Sequence, residues 1–472
     1  MQDELLALEN TRTWDLVYLP AEKSLIGYKW VYKVKTRPDG SVEHYKACLV
    51  AKGFTLEYGI DYEETFAPVS RLTSVHSLLA IATMRRWKLF QMDVKNAFLN
   101  GDLKEEVYMK PPLGLNHPPN KVCQLHRALY ELKQSPRAWY AKFSVTVSEF
   151  GFTSNPHDTA LFNHKTTRGV EQLKQSLSQK FEMKDLGVLS YFLGLEVTSS
   201  DDGYLLFQVK YASDLVSKAE LNDGKSVSTP LEPNFKLTPM DGSPLSNPTR
   251  YRQLVGSLVY LTTTRPDIAY AVHIVSQFMD APHSTHYAAM LRIIRYVKGT
   301  LFHGLHFSAN SSLVLRAYSD VDWAGDPSDR RSTTSYYLFL GNFLIYWRSK
   351  KQTILSRSST EAKYRALRDT TLELLSLRWL LEDMGIPQPS STNLYCDNQS
   401  AMQIAHNDIF HERTKHIEVD CHFIRHHVAQ RTVHLVFIGS VDQLADLFTK
   451  AHFPGRFRTI LSKLKLVSSQ PP

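Results

Sequence analysis

Cysteine is scarce. Four residues, Cys48, Cys123, Cys396 and Cys421, are scattered through 472 positions with no CxxC pair, which excludes a disulfide framework of the secreted type. Each reads as a small buried or half-buried side chain. Long apolar runs are missing too, and none approaches the roughly 20 residues that span a bilayer, so no membrane partner is expected. The opening MQDELLALEN is acidic, unlike a signal peptide, and a soluble intracellular protein is expected. There is no internal repeat. Acidic excess is also lacking, since 55 Lys and Arg outnumber 47 Asp and Glu. The net charge of +8 suits a polyanionic partner, because cationic side chains displace condensed counterions from phosphates.

With 43% hydrophobic and 22% charged residues, the composition is that of a globular protein. The length exceeds one hydrophobic core, so two or three domains are expected. Residues 1–208 mix strand-like runs (GYKWVYKVKT, KACLVAKGF) with helical ones (SVHSLLAIATMRRW). Residues 209–310 are mostly helical, with apolar spacing of three to four in YRQLVGSLVYLTTT and HYAAMLRIIRYVKGT. STPLEPNFKLTPMDGSPLSNP, rich in Pro, Ser and Gly, is the linker candidate. Residues 311–455 read as three strands, a long helix, a strand, helical segments, a strand and a last helix. Residues 456–472 read as a C-terminal tail, frayed at VSSQPP.

The last block carries the clearest chemistry. In LRAYSDVDWAGD, alternation puts Tyr318, Asp320 and Asp322 on one strand face and Ser319 and Val321 on the other. STEAKYRALRDTTLELLSLRWLLEDMG is one helix with Leu367, Leu374, Leu377 and Leu381 as its buried stripe and Gly385 as its stop. Glu361 lies in its first turn. Asp397 ends the short strand of TNLYCDNQSA, and Asp446 follows the strand VHLVF on a helix. Four converging carboxylates repel unless they hold cations, and two Mg²⁺ ions there would clamp the attacking water and leaving oxygen of a phosphodiester. Singly, each acid is an ordinary solvated residue, and Asp322 and Asp329 read as turn or surface positions. HERTKHIEVDCHFIRHH offers histidines but a single thiol, so a basic, nucleic-acid-facing helix outweighs a zinc site.

The run YSDVDWAGD, RRSTTSYYLFLGN, SKKQTILSRSSTEAKYRAL, LYCDNQSA, KHIEVDCHFIR and DQLADLFTK resembles the ribonuclease H domain of copia-type retrotransposons. The resemblance makes Asp320, Glu361, Asp397 and Asp446 the metal-binding, catalytic carboxylates of an α/β ribonuclease H-like domain. Two departures stand out. Ser335 and Lys363 occupy positions where the family has Gly and Glu. Ser335 is expected to strain a turn. Lys363, two residues from Glu361 on a helix, is expected to point elsewhere.

Upstream, QMDVKNAFLNGDL sets Asp93 at a strand end before a turn, a candidate metal ligand or a plain capping residue. LYELKQSPRAWYAKF interleaves Lys133 and Arg137 with Trp139 and Tyr140, either a nucleic-acid track or a helix with inward aromatics. NTRTWDLVYLP, GYKWVYKVK, QMDVKNAFLNGDL, LYELKQSPRAWY and FEMKDLGVLSYFLGLEV resemble the copia-type reverse transcriptase, and the resemblance runs from Trp14 to His452. The coat, protease and integrase parts of that family's polyprotein have no counterpart here. The resemblance implies an α+β right-hand polymerase of fingers and palm, then a helical thumb or connection, then ribonuclease H. Its palm holds two Mg²⁺ ions between Asp93 and the two aspartates of a YVDD hairpin. Lys46, Lys52, Lys133, Arg137 and Lys184 are the candidate nucleotide- or nucleic-acid-binding residues.

That hairpin belongs between ALFNH and LKQSLSQKFEMKDLG, where this chain has only KTTRGVEQ. The pair Asp201–Asp202 falls later and reads as a hairpin turn. About 20 residues, two strands and their turn, are missing between Val170 and Glu171, which orphans Asp93 and leaves neighbouring strands unpaired. Glu131 replaces the Gly of LYGLKQ, and Cys48 replaces an Arg able to grip a triphosphate. Polymerase activity is therefore expected to be lost, and ribonuclease H activity stays open. The alternative is a non-catalytic remnant that binds RNA–DNA hybrid or single-stranded nucleic acid. By family, the expected location is cytoplasmic or in virus-like particles, with a nuclear one also compatible, and integrase and coat proteins are expected partners.

Overall fold

The computed structural model describes residues 1–36, 41–164, 169–221, 223–407 and 417–468. The chain forms two compact units, one of Met1–Ser70 with Phe90–Gly187, the other of Arg71–Leu89 with Val188–Pro472. The helix Leu72–Met84 joins the second unit because its run LTSVHSLLAIATM is apolar almost all round. It buries Leu79, Ala80 and Ile81, leaving no polar face with which to lie on a surface.

The first unit is built on a four-stranded sheet in the order Trp14–Tyr18, Lys121–Arg127, Asp102–Met109, Leu25–Ile26. Leu8, Leu49, Met109, Cys123 and Leu129 fill its core. A long hairpin pairs Tyr28–Thr36 with Val42–Ala51. Two further ribbons of two strands each stand separately, Phe90–Val94 with Met183–Val188 and Thr153–Asn155 with Asp158–Asn163. Helices Ser135–Glu149 and Val170–Lys180 complete the unit.

In the second unit, a five-stranded antiparallel sheet runs Tyr191–Phe192, Leu195–Ser200, Gly203–Phe207, His303–Ser308, Leu466–Ser468. Asp201 and Asp202 sit at the hairpin turn of that sheet, as expected. Helices Val209–Lys218, Pro248–Leu261, Ala269–Ser276 and Ser284–Gly299 bury Leu254, Leu258, Ile293 and Val297 in a shared core.

The stretch expected as a linker is packed instead. Leu231 and Leu237 are buried, and His286 Nε2 and His283 Nδ1 lie 2.9 and 3.1 Å from the carbonyls of Thr238 and Gly242. Prolines there fix an extended path rather than a loose one. Residues 456–468 are likewise no simple tail, and the end of VSSQPP lies outside the described residues. Helix Pro454–Lys463 buries Phe457 and Ile460 at helical spacing, and Leu466–Ser468 pairs with His303–Leu305.

The remaining sheet has the expected element order. Strands β1 (Leu315–Asp322), β2 (Thr333–Leu340) and β3 (Phe343–Lys351) precede helix α1 (Ser359–Asp383), then β4 (Thr392–Cys396) and β5 (Val433–Phe437). The spatial order is β3–β2–β1–β4–β5, antiparallel across the first three and parallel from β1 to β5. In α1, Leu367, Leu374, Leu377 and Leu381 are buried as the periodicity demands. Gly385 closes the helix at φ +78°, a conformation that favours glycine.

Candidate functional site

The carboxylates of the second unit are positioned by strand ends. On β1, Ser319 faces α1 through a 2.9 Å hydrogen bond from Thr370, and Val321 packs on Ala362 and Ala366. Alternation therefore turns Asp320 to the opposite face. There its Oδ2 accepts a 2.8 Å hydrogen bond from Thr449. Asp446 lies on a single 3₁₀ turn, Leu444–Phe448, rather than on the expected helix. That turn is tied to the sheet by Ser335 Oγ donating to Ala445 O at 2.9 Å and Ser349 Oγ to Phe448 O at 2.8 Å. Ser335 is thus no strained turn residue, because it sits fully buried in extended β2 and uses its hydroxyl to anchor the segment bearing Asp446.

Asp446 is pushed up to about 6 by burial and by the charge of Asp320, while Lys450 at 2.9 Å opposes the shift. Asp322 is half-buried at the end of β1 and accepts a hydrogen bond from Thr333 N. Burial, with Asp320 and Asp326 adding, pushes it up to about 7, so the turn-or-surface reading fails for it. Asp329 is exposed and pairs with Lys351 at 2.8 Å.

Lys363 overturns its expected role. A helix turns about 100° per residue, so positions 361 and 363 do diverge, but the assignment of directions is the reverse. Glu361 accepts from Arg357 N at 2.9 Å and from Arg365 Nη2 at 3.0 Å. Lys363 reaches the acids: its Nζ donates to Asp320 Oδ1 and, at 2.5 Å, to Asp397 Oδ1. Burial alone would lower this ammonium, yet Asp320 and Asp397 hold it well above the ordinary lysine value. The site therefore joins Asp320 and Asp397 through Lys363, with Asp446 beside Asp320 and paired to Lys450.

An ammonium has three donors and no lone pair, so it cannot ligate a metal. Among the described residues, no group of three or more His, Cys, Asp or Glu side chains is arranged to hold a metal ion. The residues present do not fit a two-Mg²⁺ centre. In the same unit Cys421 is buried, and the histidines at 411 and 416 lie outside the described residues.

In the first unit, Asp93 is exposed on the ribbon Phe90–Val94. It lines a cleft of about 520 Å³ with Lys46, Phe98, Tyr130 and Glu182. The other basic candidates do not gather there. Lys133 is used internally, donating to Leu56 O at 3.0 Å and Tyr62 OH at 2.9 Å. Arg137 pairs with Glu105. Lys52 follows the hairpin strand with its backbone N–H on Gly27 O, and Lys184 is exposed on Met183–Val188. Trp139 and Tyr140 pack inward, Trp139 against Phe143 and Phe181 at 5.5 and 5.1 Å, and Tyr140 with its hydroxyl on Thr159 O. Both aromatics are half-buried.

Glu131 stands at φ +66°, the left-handed region, with its carboxylate 2.8 Å from exposed Lys29. Left-handed backbone costs a residue with a Cβ about 1 kcal/mol, and an exposed pair returns less. Glu131→Gly is therefore expected to stabilise the first unit by about 0.5–1 kcal/mol. A urea midpoint equal to or below that of the native chain counts against this.

The sequence profile described as reverse transcriptase (RNA-dependent DNA polymerase) matches residues 11–169 and 158–233. A Pol polyprotein from transposon RE1 of Arabidopsis thaliana is 41% identical over 495 aligned positions, covering 100% of this chain and 34% of the relative. A putative transposon Ty5-1 protein of Saccharomyces cerevisiae is 31% identical, over 60% of this chain and 100% of its own length. The chain belongs to the copia-type retrotransposon Pol family.

Against the Pol polyproteins it matches first, it spans about a third of their length. A solved foamy viral protease–reverse transcriptase in complex with double-stranded DNA aligns at 12% identity and a TM-score of 0.47, over 91% of this chain and 68% of the other. Polymerases and nucleases of the Pol type generally use divalent cations, and the ammonium of Lys363 among carboxylates departs from that chemistry. The family's Glu at that position was the one signal of it in the sequence. Thr449, Lys450 and the anchoring role of Ser335 had none.

Proposed function

We propose that this chain is a reverse transcriptase–ribonuclease H derivative that binds nucleic acid and does not polymerise. The observation carrying this is the isolation of Asp93. Strand Asp158–Asn163 is followed by helix Val170–Lys180 with only residues 164–169 between them, too few for the two strands and turn that would bring an Asp–Asp pair to it. Without those acids, no pair of ions can neutralise charge on the attacking and leaving oxygens of nucleotide transfer. Two comparisons support the same gap. The family match breaks into segments overlapping at 158–169. The alignment to the RE1 relative runs over 495 positions against 472 residues here, so about 20 positions of that relative, summed along the chain, lack a partner, a total that matches the length of such a hairpin.

Binding rests on the net charge of +8, and a cleft of about 570 Å³ in the second unit brings Lys350, Lys351, Arg365 and Arg368 to its wall beside Asp369, Glu418 and Asp420. RNA–DNA hybrid or single-stranded nucleic acid is the proposed ligand. Integrase and coat partners, and a location in the cytoplasm or in virus-like particles, belong to the same proposal. No helix of the described residues is long and apolar enough to cross a membrane.

Primer extension on an RNA template, with Mg²⁺ or Mn²⁺, is expected to yield no product. A labelled hybrid is expected to bind and to weaken about tenfold or more between roughly 50 and 200 mM salt. Measurable extension by the full chain sinks the first half of the reading, and salt-independent or absent binding the second.

A further inference from the structure

The acidic centre of the second unit holds more negative charge than its burial tolerates. The side chains of Asp320 and Asp397 are 4% and 13% exposed, and Asp446 lies against Asp320. Like charges this close cannot all stay ionised in a poorly solvated site without a cation among them. The chain supplies Lys450 on Asp446 at 2.9 Å and, for the other two acids, Lys363. Lys363, 12% exposed, comes from the first turns of α1 and donates to one oxygen of Asp320 and one of Asp397.

We propose that Lys363 is a tethered cation standing in the place of a divalent ion, which closes this centre to metals and leaves a nucleic-acid-binding surface with no hydrolytic step.

Three features argue for a substitute cation rather than an incidental ion pair. Lys363 bridges two acids from different elements, β1 and the end of β4, as an ion would. Its ammonium fills the oxygen positions that an ion needs at about 2.0–2.1 Å, so the two occupants exclude each other. The rest of the centre keeps its supports, with Thr449 on Asp320, Ser335 under the turn of Asp446, and Ser358 capping α1 through Glu361 N. The inference rests on the family reading of this unit, but not on the fate of the polymerase.

The test uses the full chain and its Lys363→Glu and Lys363→Gln variants. Mn²⁺ uptake is followed by loss of the free-ion paramagnetic resonance signal, and melting temperature with and without Mg²⁺. The native chain is expected to take up no Mn²⁺ at this centre, to melt at the same temperature with or without Mg²⁺, and to bind a labelled hybrid equally in EDTA. Lys363→Glu is expected to take up at least one Mn²⁺ per chain. Its melting temperature should rise by roughly 5–10 °C at free ion about a hundred times Kd, and it should cleave the RNA strand of a hybrid.

Lys363→Gln adds no charge, so it keeps the test decisive if the Glu variant fails to fold. It is expected to melt lower than the native chain in EDTA and to recover on adding Mg²⁺. Stoichiometric Mn²⁺ binding by the native chain, or Lys363→Gln melting like the native chain in both conditions, overturns the proposal. Primer extension and native hybrid binding, read separately, report on the proposed function and leave this inference standing or falling by the metal data.

Discussion

Asp267→Ala is expected to lower the stability of the second unit by about 3–5 kcal/mol, because it strands a buried guanidinium. Arg265 and Asp267 are almost fully buried, with side-chain exposures of 2% and 0%. Arg265 grips the carboxylate through Nε at 2.9 Å and Nη2 at 2.7 Å, a fork that matches two oxygens at once. Tyr296 donates its hydroxyl to Asp267 Oδ2 at 2.8 Å. Nη1 and Nη2 donate further to Thr300 O and Oγ1 at 2.8 and 2.6 Å.

Burial alone would raise the Asp267 carboxyl, but Arg265 and His303 hold it well below the usual range. The sign of the pH effect follows. A depressed carboxylate stabilises the fold above its unfolded value near 3.9 and loses that contribution as pH falls. Thermal melts at neutral pH should show a drop of roughly 10 °C for the single variant. The double variant Arg265→Met with Asp267→Leu should recover most of the loss, since the charge left unpaired is then gone. A single-variant loss under about 1 kcal/mol would contradict the buried-pair account.

The pair also shows where a sequence stops being legible. TTTRPDIAY belongs to the family's run, yet nothing in its spacing says that Arg265 folds back on a residue two positions away and hides from water. The elements of the last sheet were readable because period-two and 3.6-residue apolar patterns are local. The stripe of α1 and the two faces of β1 came out as the patterns dictate. Tertiary burial was not readable in the same way. STPLEPNFKLTPMDGSPLSNP has the composition of a linker, but Leu231 and Leu237 find a core built by helix Ser284–Gly299 and its neighbours. Lys363 failed for a subtler reason. Helical phase correctly separated it from Glu361, but phase is relative, and only the sheet under the helix decides which of the two faces the acids. Resemblance pointed to Glu361, and the structure turns Lys363 toward Asp320 and Asp397.

Lowering the pH from about 6.5 to about 4 is expected to cost the second unit about 3 kcal/mol through His76 alone. His76 lies on Leu72–Met84, 2% exposed. Its Nδ1 is 3.1 Å from Ile345 O, and its ring stacks on Trp347 at 5.5 Å and 13° and lies near Phe307. Its Nε2 has no hydrogen-bond partner among the described residues, so a second proton there would be a charge in an apolar seat with nothing to receive it.

Burial accordingly pushes the imidazole down to about 4, the hydrogen bond to Ile345 opposing. In the unfolded chain the ring protonates near 6.5, so between the two values only the unfolded state takes the proton. Stability must then fall with pH across that window. His76→Phe keeps the ring stack and removes the titration. Its urea midpoint should therefore decline less steeply over the same range, with a small constant loss from the Ile345 hydrogen bond. His273, also pushed down to about 4 by burial, titrates in both proteins and cancels in the difference. Parallel midpoint curves for the two proteins from pH 7 to 4 would mean that water reaches the His76 ring in the fold.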